Sequence, residues 1–254
     1  MTNPPDLIWS KPEHFPSLSD GEVHVWRAGL EEDESQVEKY LALLSADEKA
    51  RAARLVFANH RARFITARGI LRSLLGQYSH TPPQALTFAY SEHGKPALST
   101  SQLPNFNLSH SENQAVYVFG LDGRLGIDIE MHDLQTEKQT IANRFFSPNE
   151  AAALARVSES QGEMTRAFYC CWTRKEAFIK ALGAGLSCPL DAFEVTFLAG
   201  EPPALLRLDL PGEMRENWQL FDISPLDRFS AAVATDVAVT KLRTFEWNDT
   251  SISY

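Results

Sequence analysis

Apolar and polar residues along the chain fall into two kinds of pattern, and both occur twice. Helical spacing runs through 61–76 (RARFITARGILRSLLG) and through 163–182, where Phe168, Cys171, Phe178 and Leu182 mark one apolar stripe. Each of these helices ends at a glycine with prolines a short distance beyond, and each is preceded by a capping box. The boxes are Ser45-Ala46-Asp47-Glu48 and Ser147-Pro148-Asn149-Glu150, followed by ARAARL and ALARV. After each helix come two β-rich runs joined across a glycine, ALTFAYSEHGKPAL (85–98) and AFEVTFLAGEPPAL (192–205). FNLSHSENQAVYVFG (106–120) then returns more loosely as LFDISPLDRFSAAVAT (220–235). The long helices are offset by 107 positions, so the pattern predicts an internal duplication. The expected fold is α+β, with two similar two-layer α/β subdomains related by a pseudo-twofold axis and a shared ligand in the crevice between them. The turn Leu121-Asp122-Gly123-Arg124 sets the expected division at 1–122 and 123–254. The polar tail after Trp247 reads as frayed.

Composition is ordinary for a globular chain of 254 residues with 44% apolar content. No apolar run approaches the roughly 20 residues needed to span a bilayer, and the N-terminus lacks a signal-peptide pattern. A soluble, cytoplasmic protein with no membrane association is expected. Cys170, Cys171 and Cys188 suit neither a disulfide framework nor a zinc site and read as reduced packing residues.

A net charge of −9 argues against nucleic-acid binding, yet it conceals an asymmetry. From Lys49 to Arg72 there are seven Lys or Arg and no Asp or Glu. A solvated helix face is the alternative reading, but no acids are interleaved to relieve repulsion between like charges at i,i+4. An anionic, phosphate-bearing ligand is therefore expected there.

The opposite charge is concentrated in Gly126-Ile127-Asp128-Ile129-Glu130. Strict alternation makes this a half-buried strand with both acids on one face, about 7 Å apart, within reach of one hard cation such as Mg²⁺. An amphipathic strand with a solvated acidic face shows the same pattern, so the pair needs a third partner. Glu176 and Lys180 share one face of the 163–182 helix at i,i+4. They could complete a metal and phosphate site, or form a simple helix-surface ion pair.

GIDIE (126–130), followed some forty residues later by WTRKEAFIK (172–180), resembles the two defining motifs of the Sfp-type 4′-phosphopantetheinyl transferases, and FNLSHS (106–111) resembles a third. HGKPAL (93–98), LSADEKARAARLVF (44–57), RFFSPNE (144–150) and GLSCPLDAF (185–193) extend the likeness over most of the chain. The resemblance implies the 4′-phosphopantetheinyl transferase fold, with coenzyme A bound by residues 1–122 and metal and catalysis supplied by 123–254. It implies Mg²⁺, or Mn²⁺ in its place, held by Asp128, Glu130 and Glu176. Lys180 matches a contact to the coenzyme A pyrophosphate. Lys95, Pro96, Ser109 and His110 match the nucleotide end, and Arg68, with Arg61 and Arg63, matches the 3′-phosphate side. Glu150 matches an acid that approaches the metal through water, although its capping role competes with that.

The implied reaction transfers the 4′-phosphopantetheinyl group of coenzyme A to a serine hydroxyl of an apo acyl or peptidyl carrier protein, releasing 3′,5′-ADP. Glu176, Lys180 and Glu150 are its catalytic candidates, and a monomer is expected. A Mg²⁺-dependent phosphohydrolase acting on coenzyme A or a nucleotide, or a non-catalytic coenzyme A-binding module, would share parts of this set. A serine hydrolase would need a Gly-x-Ser-x-Gly elbow, which the sequence lacks.

Overall fold

The capping boxes and the alternating strands form in an order that repeats; the second long helix stops at Gly183 as expected, whereas the first runs past Gly76 to Ser79. A computed structural model describes residues 7–99, 104–158 and 162–248; the tail from 249 onward lies outside the described residues. The first half runs β1 (Glu22–Gly29), α1 (Glu34–Leu43), α2 (Ala46–Ala53), α3 (Ala58–Ser79), β2 (Phe88–Tyr90), β3 (Pro96–Leu98), β4 (Asn105–Ser111) and β5 (Gln114–Gly120). The second runs β6 (Leu125–Met131), α4 (Lys138–Phe145), α5 (Pro148–Leu154), α6 (Glu163–Leu182), β7 (Phe193–Val195), β8 (Leu205–Leu208), β9 (Gln219–Asp222) and β10 (Phe229–Thr235). Strand order repeats as well, β1-β5-β4 in one sheet and β6-β10-β9 in the other.

A last strand, β11 (Lys241–Glu246), adds parallel to the outer edge of β1, with Trp26 opposite Phe245. The chain thus returns to the first sheet well beyond the 122/123 turn. Neither β1, α1, α4 nor β11 carries a pattern strong enough to announce itself in sequence, because each is short and takes its apolar contacts from elements distant in the chain.

Local chemistry explains the helix boundaries. Glu48 and Glu150 each accept the backbone N–H of their serine, at 3.0 Å in both cases, closing the two capping boxes. Helix α3 ends on His80 at φ 49°, and α6 on Gly183 at φ 71°. Gly69 sits in the interior of α3, where glycine is costly, because a Cβ there would come within 2.4 Å of the Tyr40 ring of α1.

Helix α3 covers one face of the first sheet through Ile70, Leu71, Leu74, Tyr117 and Phe119, and α6 covers the second through Phe178, Ala232 and Ala234. The remaining sheet faces share one cluster, Val23, Val25, Val116 and Val118 with Ile127, Ile129, Ala231 and Val233. The two halves are therefore bonded by a continuous apolar core. No helix among the described residues is long and apolar enough to cross a membrane. Cys171 and Cys188 are buried, whereas Cys170 is half-buried.

One polar group is locked into the first half. His24 on β1 is fully buried, its Nδ1 2.8 Å from the Tyr78 hydroxyl, which also accepts from Trp26 Nε1 at 2.9 Å. Its Nε2 lies 3.5 Å from Glu22. Burial lowers its pKa from 6.5 to about 4 against the attraction of Glu22. Between pH 6.5 and 4 the unfolded chain then binds the proton that the folded chain refuses, so stability falls as pH falls through that window. Urea unfolding should lose on the order of 2 kcal/mol between pH 7 and 4.5 from this group, and His24→Gln should flatten that part of the profile. Parallel profiles for the two proteins would remove His24 as the cause.

Candidate active site

The two sheets meet along β4 and β6, edge strands of separate sheets, through side chains. Asn107, Ser109 and Ser111 project from one face of β4. Asn107 Oδ1 accepts from the Ile127 N–H at 3.1 Å, and Ser111 Oγ accepts from the Met131 N–H at 3.0 Å. Ser109 Oγ donates to Asp128 at 2.9 Å, and Ser111 Oγ donates to Glu130 at 2.9 Å. The alternation in FNLSHS matches the alternation in GIDIE because alternate residues of β4 lace the two strands together. That period of two was the available signal for Asn107 and Ser111, which sequence reasoning passed over.

Helix α6 closes the site from the other side. Gly126 lies on the same face of β6 as Asp128 and Glu130, and a Cβ there would come within 2.0 Å of the Ala177 carbonyl oxygen and 2.4 Å of Ala181 N. Only glycine lets the helix backbone lie against the strand. This contact brings Glu176 and Lys180 to the acids of β6. Lys180 Nζ donates to Asp128 Oδ1 at 2.6 Å and to Ser109 Oγ at 2.8 Å.

Asp128, Glu130, Glu176 and Lys180 line one wall of a cleft of about 530 Å³; Arg51, Arg68, Tyr90, Pro96, Ser109 and His110 line the rest. Acids from the second half thus face bases from the first. A larger concavity of about 820 Å³ beside Arg166 and Arg174 shares no lining residue with it, and there Arg174 is paired with Asp222. The convergence of acids from one half with bases from the other favours the smaller cleft as the site of chemistry.

Electrostatics in the cleft are strained by like charge. Burial, then the charge of Asp128, pushes Glu130 up to about 7, with Glu176 adding to the effect. Burial and Asp128 also raise Glu176, against the opposing charge of Lys180. Asp128 is 3% exposed, and its Oδ2 has no hydrogen-bond partner. An orphaned buried carboxylate oxygen beside two acids of raised pKa is the environment a hard divalent cation relieves, and all three donors are oxygens. The residues fit such an ion. Among the described residues no three acids, imidazoles or thiols form a ready-made cluster for it, and the Lys180 ammonium bonds to Asp128 instead.

The expected nucleotide side is only partly assembled in the cleft. Pro96, Ser109 and His110 line it, and burial followed by the charges of Lys180 and Arg51 lowers the pKa of His110. Arg68 also lines it, but its guanidinium is bonded to Glu48 and lies 3.2 Å from the Tyr90 hydroxyl. Lys95 does not face the cleft. Its Nζ donates to Leu125 O at 2.9 Å and Ala181 O at 3.2 Å, and burial lowers its pKa to about 8. It ties the start of β6 to the end of α6. Arg61 donates to Leu55 O, and Arg63 pairs with Glu31 and Glu112 outside the cleft.

Three members of the acid-free basic run are paired with acids outside it, Arg63 with Glu31 and Glu112, and Arg68 and Arg72 together with Glu48. Arg51, absent from the expected set, also lines the cleft and is not paired there with an acid among the described residues, its guanidinium 5.4 Å from the Phe64 ring. Glu150 is also placed away from the cleft. It is 3% exposed, closes the α5 capping box, accepts the Val195 N–H at 2.9 Å and pairs with Lys175 at 2.8 Å.

Comparison with known proteins fits this arrangement. A model of the 4′-phosphopantetheinyl transferase superfamily matches residues 124–234, and one of the 4′-phosphopantetheinyl transferase N-terminal region matches 30–119. The 4′-phosphopantetheinyl transferase HetI of Nostoc sp. is 38% identical over 227 residues, covering 88% of this chain and 91% of that protein. This chain belongs to the 4′-phosphopantetheinyl transferase superfamily. The 4′-phosphopantetheinyl transferase Sfp of Bacillus subtilis is 31% identical over 62% of this chain and 68% of its own length. The L-aminoadipate-semialdehyde dehydrogenase-phosphopantetheinyl transferase of Rattus norvegicus is 28% identical over 73% of this chain and 64% of its own. The two family models abut at the 121–124 turn, between the repeated units of the fold.

The close approach of α6 to β6 yields a direct test. Gly126→Ala should force the helix off the strand, lowering stability by roughly 1–3 kcal/mol in urea and abolishing activity under conditions where the protein remains folded. Unchanged stability and activity would show that the contact does not set the site.

Proposed function

We propose that this chain, as a 4′-phosphopantetheinyl transferase, moves the 4′-phosphopantetheinyl group of coenzyme A onto a serine hydroxyl of an apo carrier protein, releasing 3′,5′-ADP. The observation that carries the reading is the cleft at the junction of the halves, with Asp128, Glu130 and Glu176 on one side and Arg51, Arg68 and His110 on the other. A division of labour follows, in which residues 1–122 receive the nucleotide end and 123–254 hold the reacting pyrophosphate.

Asp128, Glu130 and Glu176 are the residues that would hold Mg²⁺, or Mn²⁺. When bound, the ion supplies charge neutralisation to the pyrophosphate. Lys180, which sits on Asp128 through one ammonium, needs only to exchange that carboxylate for a phosphate oxygen to stabilise charge on the departing group. His110 and Arg51 present donors to the nucleotide phosphates from the opposite wall. The attacking serine must lose its proton, and Glu176, whose pKa is raised by burial and by Asp128, is the best placed base. Bond formation at the β-phosphorus and loss of the 3′,5′-ADP oxygen then complete the transfer. Positioning and charge compensation do most of the work in reactions of this type.

Incubation with apo carrier protein, coenzyme A and Mg²⁺ should give the phosphopantetheine adduct by mass spectrometry. Glu176→Gln should lose roughly 10²- to 10⁴-fold in rate while retaining its unfolding transition. Near-normal transfer by that variant would sink the assignment. Phosphate release from coenzyme A without carrier would indicate a phosphohydrolase.

A further inference from the structure

The two capping-box glutamates do the same thing in both halves, and the cap is the smaller part of it. In the second half Glu150 joins three elements. One oxygen accepts the Ser147 N–H of the α5 cap at 3.0 Å and pairs with Lys175 of α6 at 2.8 Å; the other accepts the Val195 N–H of β7 at 2.9 Å. Lys175 is fully buried, and its ammonium also donates to Leu190 O at 2.8 Å and Phe193 O at 2.6 Å. All three of its protons are thereby placed on fixed acceptors. In the first half Glu48 closes the α2 cap through Ser45 N and binds Arg68 and Arg72 of α3. Arg68 and Lys175 are the residues related by the 107-position offset. A cap glutamate paired to the same position of the long helix therefore appears in both copies.

We infer that Glu150 and Lys175 form a positioning device for Glu176, a role that rests on the proposed function of the cleft. Consecutive helical residues project about 100° apart, so pinning Lys175 on the buried side fixes the direction of Glu176. A carboxylate some 6 Å from the helix axis moves ~1 Å for each 10° of rotation, which is beyond the tolerance of a ligand set. Neither Lys175 nor Glu150 lines the cleft, so neither contributes as a catalytic group. The first-half counterpart orients Arg68 instead. There the next residue is Gly69, packed on Tyr40, and no carboxylate follows. One anchor thus serves opposite chemistry in the two copies.

The test uses the full chain with coenzyme A and no carrier protein, titrated with Mg²⁺ by calorimetry. Glu150→Gln keeps one amide oxygen, which can accept the Ser147 N–H of the cap but not the Val195 N–H as well, and removes the charge facing Lys175. Lys175→Met keeps the apolar stem, and the double variant leaves no unpaired buried charge. Each single variant and the double should bind Mg²⁺ roughly 10- to 100-fold more weakly, as loss of supporting contacts does at metal sites. The double should regain urea stability lost by the singles without regaining Mg²⁺ affinity. Glu48→Gln should weaken coenzyme A binding and leave Mg²⁺ affinity unchanged. A double variant with wild-type Mg²⁺ affinity overturns the inference, because the pair would then serve stability alone. A wild-type chain that binds no Mg²⁺ overturns the reading of the cleft itself, and the inference with it.

Discussion

Three short polar side chains on β4 hold the acidic strand β6 in place, and the site depends on that seam. Asn107, Ser109 and Ser111 bond the backbone or carboxylates of β6 at every second residue. A continuous backbone ladder would have made one sheet and left the carboxylates without these partners. Lacing through side chains instead leaves room between two sheets for acids that are buried or half-buried and crowded together, with Asp128 Oδ2 left without a hydrogen-bond partner. Like-charge crowding of this kind is unfavourable unless a cation is provided, and Glu130 shows it in a pKa near 7. The apolar cluster shared by the two sheets holds the crowded acids in place.

Duplication supplies the rest of the design. Both copies have the same strand order and the same sequence of helices, yet one wall of the cleft is acidic and the other basic. The divergence is concentrated at a few positions around a retained frame. Gly126 on β6 admits the backbone of α6, whereas Gly69 on α3 admits the Tyr40 ring. Glu48 and Glu150 keep their caps and their ion pairs while the residues beside them differ. Such buried pairs contribute little net stability, and holding a helix in one rotation is the use best suited to them.

Charge counted along the chain proved a weaker guide than charge counted in space. The run from Lys49 to Arg72 contains no acid, but Glu48 immediately before it neutralises two of its arginines, and Glu31 and Glu112 engage a third. Of the arginines not paired with an acid among the described residues, Arg51 is the one that lines the cleft. Lys95 belongs to the same lesson, since its ammonium serves two backbone carbonyls at the junction of β6 and α6.

Local periodicity determined much of this protein. The alternation of GIDIE, the helical stripes, both capping boxes and the duplicated order of elements are properties of neighbouring residues, and they survive translation into structure because each is decided within one element. Asp128 and Glu130 on one strand face, and Glu176 and Lys180 on one helix face, follow from the same rule. Tertiary structure decided which of these faces meet. The seam between β4 and β6, the return of β11 to the first sheet, the withdrawal of Glu150 and Lys95 from the cleft and the exposure of Arg51 within it all depend on partners tens of residues away. Long-range pairing of that kind is selected by packing and by the satisfaction of buried polar groups, and neither leaves a periodic trace in the chain.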